Sequence, residues 1–146
     1  MRRLAIAFAF LAPAVLAAQQ PEFLHPYGPP TRPFSPAVKV GNVLYLAGQI
    51  GTSADASGNG VVAGGIEAET RQTMNNIKDV LSKTDSDMDH VVKCTVFMAD
   101  MQEWDAMNAV YRTYFKEGKF PARSAFGATG LALNARVEIE CIATVK

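Results

Sequence analysis

The chain has 146 residues, with 14 Lys plus Arg against 14 Asp plus Glu, 49% apolar residues, 11 Gly, 8 Pro and 2 Cys. That length fits one globular domain; the even charge leaves no basic surplus for a nucleic-acid backbone, and the apolar fraction is too high for a disordered segment. Two cysteines exclude a disulfide-dense miniprotein.

Arg2 and Arg3 precede an uncharged apolar run from Leu4 to Leu16, broken only by Pro13, and Ala17 and Ala18 follow. The pattern predicts a secretory signal peptide over residues 1–17, shorter than the roughly 20 apolar residues that cross a bilayer. Val15 and Ala17 occupy the minus-three and minus-one places of its cleavage site. Cleavage there leaves 12 basic against 14 acidic residues, and it implies a periplasmic or secreted protein with no membrane anchor. Residues 18–37 hold six of the eight prolines and predict an extended arm without regular secondary structure, so the folded domain is expected over 38–146.

From Val38 to Ile50 aliphatic and β-branched residues predict one or two strands turning at Gly41-Asn42. A Gly, Ser, Asp and Ala-rich surface loop follows over 52–65. Ile66, Thr70, Met74, Ile77 and Leu81 then recur at helical spacing, which predicts an amphipathic helix over 66–83. Val91 to Ala99 reads as a strand with apolar residues on both faces. A second helix is expected over 102–117 with Trp104, Met107, Tyr111, Tyr114 and Phe115 as its stripe and Gly118 as its stop, then strands over 123–128 and 136–145. The sum is a compact α+β domain with two helices on one face of a sheet. Something must cover the other face, and a second copy of the chain is the economical cover.

Arg123 enters a strand among small and apolar neighbours and needs an anionic partner. Two readings stand: an ion pair with Glu138 or Glu140, or a bidentate grip on a substrate carboxylate. Period two puts Glu138 and Glu140 together on one face of the last strand, either as a solvated outer face or, in a partly dry cleft beside Arg123, as a general base acting on water. Asn108 falls within the second helix's apolar stripe, as a satisfied buried amide or as a ligand contact. Cys94 and Cys141 share parity with the helix-facing residues of their strands. They are either buried thiols or, in an oxidising compartment, a cross-strand disulfide. His25 and His90 belong to no cluster at metal-ligand spacing, and no Walker loop, dinucleotide fingerprint or nucleophile elbow is present, so neither metal nor cofactor is predicted.

The run Val43 to Ile50, the helix text Gln72 to Ile77, the strand Val92 to Asp100, the pair Asn108 and Tyr111, and above all Phe120-Pro121-Ala122-Arg123-Ser124 with Val137-Glu138-Ile139-Glu140 resemble the RidA (YjgF-type, L-PSP) reactive-intermediate deaminases. The resemblance covers nearly all of the mature domain. It implies a chorismate-mutase-like α+β fold, a homotrimer with clefts between subunits, and hydrolysis of enamines and imines such as 2-iminobutanoate or 2-iminopropanoate to the 2-keto acid and ammonia, without metal or organic cofactor. By the same resemblance, Arg123 binds the substrate carboxylate and Glu138 positions or deprotonates water. The backbone at Ala125 helps hold that water, Gly48 lines the pocket, and Asn108 lies close by. Three positions depart from the best-studied pattern: Phe34 stands in place of Tyr, Ala47 in place of a frequent Ser, and Ala125 in place of a frequent Cys. The two lost hydroxyl groups, at Phe34 and Ala47, keep a second function open, a trimeric protein that binds a carboxylate in its clefts without turnover. Endoribonuclease activity, a label carried by some relatives, fits poorly with a net charge of minus two and no basic aromatic stripe.

Overall fold

The computed structural model describes residues 19–53 and 60–146. The predicted signal peptide, and the middle of the loop expected over 52–65, lie outside the described residues. Among the described residues seven strands form one sheet: β1 (Glu22–Leu24), β2 (Ala37–Val40), β3 (Val43–Leu46), β4 (Gln49–Ile50), β5 (Val91–Met98), β6 (Ala122–Gly127) and β7 (Val137–Thr144). Accompanying them are the helices α1 (Gly65–Lys83) and α2 (Trp104–Tyr111). The strand order is β1-β2-β3-β7-β5-β6, with β4 alongside β7. All pairs are antiparallel except β5 with β6, which run parallel because α2 carries the chain back between them.

The expected α+β class and the two helices on one face are observed. Leu44, Leu46, Cys94, Val96, Met98, Val137, Ile139, Cys141 and Ala143 point to the helix side, where they meet Ile66, Met74, Ile77, Val80 and Leu81 of α1 and Met107 and Tyr111 of α2. Full burial of each large aliphatic side chain contributes roughly 1.5–3 kcal/mol, so this layer is the main source of stability. The β2–β3 hairpin turns where predicted, with Gly41 at φ 62° in a conformation that disfavours a side chain.

Two expectations are corrected. The proline-rich arm is not without regular structure: Glu22, Phe23 and Leu24 pair with Lys39, Val38 and Ala37, so the arm supplies an edge strand. Its prolines lie outside that three-residue strand, and Tyr27 anchors the segment after it by donating to Asp79 Oδ2 on α1 at 2.8 Å. The second helix is shorter than 102–117. It is flanked by 3₁₀ turns at Met101–Glu103 and Arg112–Tyr114. Thr113 donates to the Val110 carbonyl at 2.7 Å and Tyr114 reaches back to Asn75 on α1 at 2.8 Å, which tightens the last turn. Gly118 therefore sits in a later turn, not at the helix end. The second face of β5 is open in the single chain, the face for which a second copy is the expected cover. Val92 is extruded as a bulge between Val91 and Lys93 and is 48% exposed, while Lys93, Thr95 and Phe97 face the uncovered side with Tyr45 and Phe126.

Of the two readings for the cysteines, the structure shows the disulfide. Cys94 and Cys141 are directly opposite in the β5–β7 register and 1% and 2% exposed, and a disulfide joins them. The bond closes a segment 47 residues apart in sequence, a length for which loop-closure entropy predicts about 4 kcal/mol. Replacing both by Ala is expected to lower the unfolding free energy by about 2–4 kcal/mol in urea titration, with little change in the folded protein's circular dichroism.

Candidate functional site

The two halves of the sequence-derived site lie on different faces of the sheet. Arg123 is in register with buried Cys94, so its side chain leaves β6 on the helix side. Glu138 is in register with Phe97 on one flank and Ile50 on the other, and it leaves β7 on the uncovered side. Within one chain the guanidinium and the carboxylate do not meet.

On the helix side, Arg123 Nη1 donates to Asn108 Oδ1 at 2.9 Å. Its Cζ stands 5.0 Å from the Trp104 ring centroid and 4.7 Å from that of Tyr111. Among the described residues no carboxylate forms an ion pair with it, so the reading of a structural pair with Glu138 or Glu140 does not hold within the chain. A cavity of about 280 Å³ opens beside it, lined by Asn108, Tyr111, Arg112, Phe120, Pro121 and Arg123. Held by neutral groups, the cation keeps its full charge for an incoming anion. Asn108 is half-buried and spends its carbonyl oxygen on Arg123, which makes it a holder of the guanidinium.

On the uncovered side, Glu138 is half-buried and Glu140 exposed. Burial holds the Glu138 carboxyl above its ordinary pKa of 4.5, and the negative charge of Glu140 adds to the rise. Gly48 lies against it, because pairing of β4 with β7 brings the preceding backbone over the glutamate. A methyl group at Gly48 would overlap Glu138 Oε1 and lie 3.0 Å from Cδ, so the absent side chain makes the space that the carboxylate fills. A half-buried carboxylate with raised pKa, lying against a backbone that carries no side chain, is suited to take a proton from water.

The remaining predicted residues fall elsewhere. Ala125 is half-buried on the helix side of β6, in register with Val96 and two residues beyond Arg123. Phe34 is 48% exposed on the arm, with Arg32 Cζ 5.8 Å above its ring. It lines a second cleft, about 420 Å³, shared with Tyr27, Asn76 and Gln49, the residue after Gly48. The sequence pattern assigns Trp104 and Tyr111 to a core stripe, whereas in the structure both rings also stand against Arg123. The available signal was spacing: Trp104, Asn108 and Tyr111 stand at i, i+4 and i+7 of one helix face. Among the described residues no three His, Cys, Asp or Glu side chains are grouped to hold a metal ion.

The chain is similar to named proteins and solved structures. The family described as Endoribonuclease L-PSP matches residues 27–145. The 2-iminobutanoate/2-iminopropanoate deaminase of Mus musculus is 40% identical over 111 residues, 76% of this chain and 80% of that one. The protein of the same name in Dermatophagoides farinae is 40% identical over 117 residues, 80% of this chain and 89% of its own. Among solved structures, yeast Mmf1 superposes with a TM-score of 0.74 at 35% identity, covering 89% of this chain and 98% of that one.

Gly48→Ala is expected to leave thermal stability within a few degrees, since the overlapping atom is the free end of a flexible side chain, yet to push the Glu138 carboxyl toward solvent. Carbon-detected NMR titration will then show the Glu138 pKa falling toward its ordinary value; an unchanged titration contradicts the contact.

Proposed function

The chain belongs to the L-PSP (RidA/YjgF) family, and on that premise we propose that it hydrolyses 2-imino acids and their enamine tautomers to 2-keto acid and ammonia, in clefts between the subunits of a homotrimer. The observation that carries this reading is Arg123, a cation braced by an amide and two aromatic rings with no carboxylate partner among the described residues. A guanidinium so placed offers its remaining N–H donors to a substrate carboxylate.

Assembly supplies the other half. Since Arg123 and Glu138 leave opposite faces of one sheet, the Arg123 edge of one subunit is brought against the Gly48–Glu138 side of its neighbour. The uncovered face, with Tyr45, Phe126 and Val92 each 48% exposed, is a surface suited to burial between copies. In the cleft, Arg123 orients the imino acid by its carboxylate. Glu138 accepts a proton from water as the oxygen attacks the electrophilic C=N carbon, with the Ala125 carbonyl as a further acceptor for that water. Returning the proton to nitrogen lets ammonia leave the carbinolamine as the carbonyl forms. Positioning and one proton transfer suffice, the latter contributing roughly 10²–10⁴ in rate.

Phe34 and Ala47 lack the hydroxyls of the best-studied pattern, and each lost hydrogen bond to a charged carboxylate is worth about 1.5–3 kcal/mol. A more apolar substrate than 2-iminopropanoate is therefore favoured. The buried Cys94–Cys141 disulfide supports the further proposal that the protein works in an oxidising compartment, periplasmic or extracellular, after loss of residues 1–17.

The test generates 2-iminobutanoate and 2-iminopropanoate with an amino-acid oxidase and traps survivors with semicarbazide. The protein is expected to divert both; Arg123→Ala lowers kcat/KM by at least about 100-fold, and Glu138→Gln lowers kcat by about 10²–10⁴. No diversion at any concentration, with 2-keto acid still bound, identifies a binding protein instead. Because the base must be deprotonated and its pKa lies above the ordinary value, activity falls on acidification through a point above pH 4.5, and Glu140→Gln, by removing a neighbouring negative charge, moves that limb to lower pH.

A further inference from the structure

We propose that Trp104 and Tyr111 are positioning residues that set the carboxylate affinity of Arg123: an aromatic cradle that holds the guanidinium in place without neutralising it. The inference rests on the assignment of Arg123 as the carboxylate receptor and adds to it how that receptor is kept both fixed and available.

A half-buried guanidinium is ordinarily fixed by a carboxylate, and one so paired has little charge left for a ligand. Here three groups share that task, and none is anionic. Asn108 occupies one of the five N–H donors at 2.9 Å. The rings of Trp104 and Tyr111 stand 5.0 and 4.7 Å from Cζ, within cation–π range, and they attract the cation through their quadrupoles. The cradle is itself rigid. Tyr111 is 3% exposed in the core with its ring tilted against that of Phe115, centroids 5.0 Å apart, and Trp104 opens α2 against the core cluster. The side chain of Arg123 carries several rotatable bonds, and ordering them before the ligand arrives removes that cost from binding.

It is the ring of Tyr111 that acts. Its hydroxyl is buried without a hydrogen-bond partner among the described residues, and burial pushes its pKa up to about 12. A solvent-inaccessible hydroxyl of this kind is out of a ligand's reach and does not titrate near neutral pH. Removing it should cost nothing, whereas removing the ring should loosen Arg123. The sequence contains a single tryptophan, Trp104, so the protein also carries its own reporter: a carboxylate that settles on Arg123 changes the charge in front of the only indole.

The experiment titrates the full protein with 2-ketobutanoate, a carboxylate that has no C=N bond to hydrolyse, and follows tryptophan fluorescence and heat. The parent is expected to show a saturable fluorescence change that Arg123→Ala abolishes. By calorimetry, Trp104→Leu weakens binding by about fivefold to thirtyfold, the range set by cation–π energies, while Trp104→Phe falls between and Tyr111→Phe equals the parent. In the imine assay the same Leu variant raises KM by a matching factor and leaves kcat within about threefold, a split that a general loss of structure does not give. Tyr111→Leu opens a core position, so the deciding variants are Trp104→Leu and Tyr111→Phe, with circular dichroism confirming their folding. Trp104→Leu binding as tightly as the parent, or Tyr111→Phe losing affinity, overturns the cradle, as does a parent that binds no 2-keto acid. A parent that binds 2-ketobutanoate through the cradle yet hydrolyses no imine leaves the cradle standing and removes the hydrolytic function.

Discussion

A β-strand sends successive side chains to opposite faces of its sheet, and register extends that alternation from strand to strand. In this protein the rule ties Arg123 to the parity of Cys94 and Glu138 to that of Phe97. The guanidinium goes to the helix layer and the carboxylate to the bare side. Neither can change face without a one-residue slip of its strand: a slip of β7 would carry buried Val137, Ile139 and Cys141 out of the core, and a slip of β6 would turn Ala125 away from the core it packs against. The separation of the two charges is thus held in place by the whole hydrophobic layer.

Much of the remaining structure serves that arrangement. The disulfide joins β5 and β7 at the register pair between the two charges, so it locks the strands that set both positions. Glu69, 4% exposed on α1, accepts from the Arg136 backbone N–H at 2.7 Å and fixes the start of β7 one residue before Val137. Gly48 leaves room for the carboxylate, and burial with the nearby Glu140 keeps that carboxylate basic. On the opposite side α2 delivers an amide and two rings to a cation that no acid neutralises among the described residues.

Elements governed by local periodicity were legible in the sequence. The α1 stripe is a 3.6-residue pattern, the alternation along β7 is a two-residue pattern, and Gly41-Asn42 is turn chemistry; all three appear where expected. What escaped depends on partners distant in the chain. The three residues of β1 form a strand only because the edge of β2 is free to receive them. The bulge at Val92 and the early end of α2 follow from tertiary contacts, with β7 and with Asn75 of α1. Most tellingly, the pattern within β6 and within β7 showed which residues alternate, while the relation between the two strands required the intervening register of β5. Arg123 and Glu138 stood out in the sequence as chemistry-bearing residues, and their separation by the sheet was invisible.

In the proposed assembly an active cleft needs Arg123 from one chain and Glu138 from another. Subunit mixing tests this directly. Arg123→Ala and Glu138→Gln, each inactive alone, are unfolded and refolded together in equal amounts and assayed for imine hydrolysis. With random assembly, one cleft in about four combines an intact arginine with an intact glutamate, so roughly a quarter of the parental activity returns. Activity that stays at the level of the separate variants contradicts a site shared between chains.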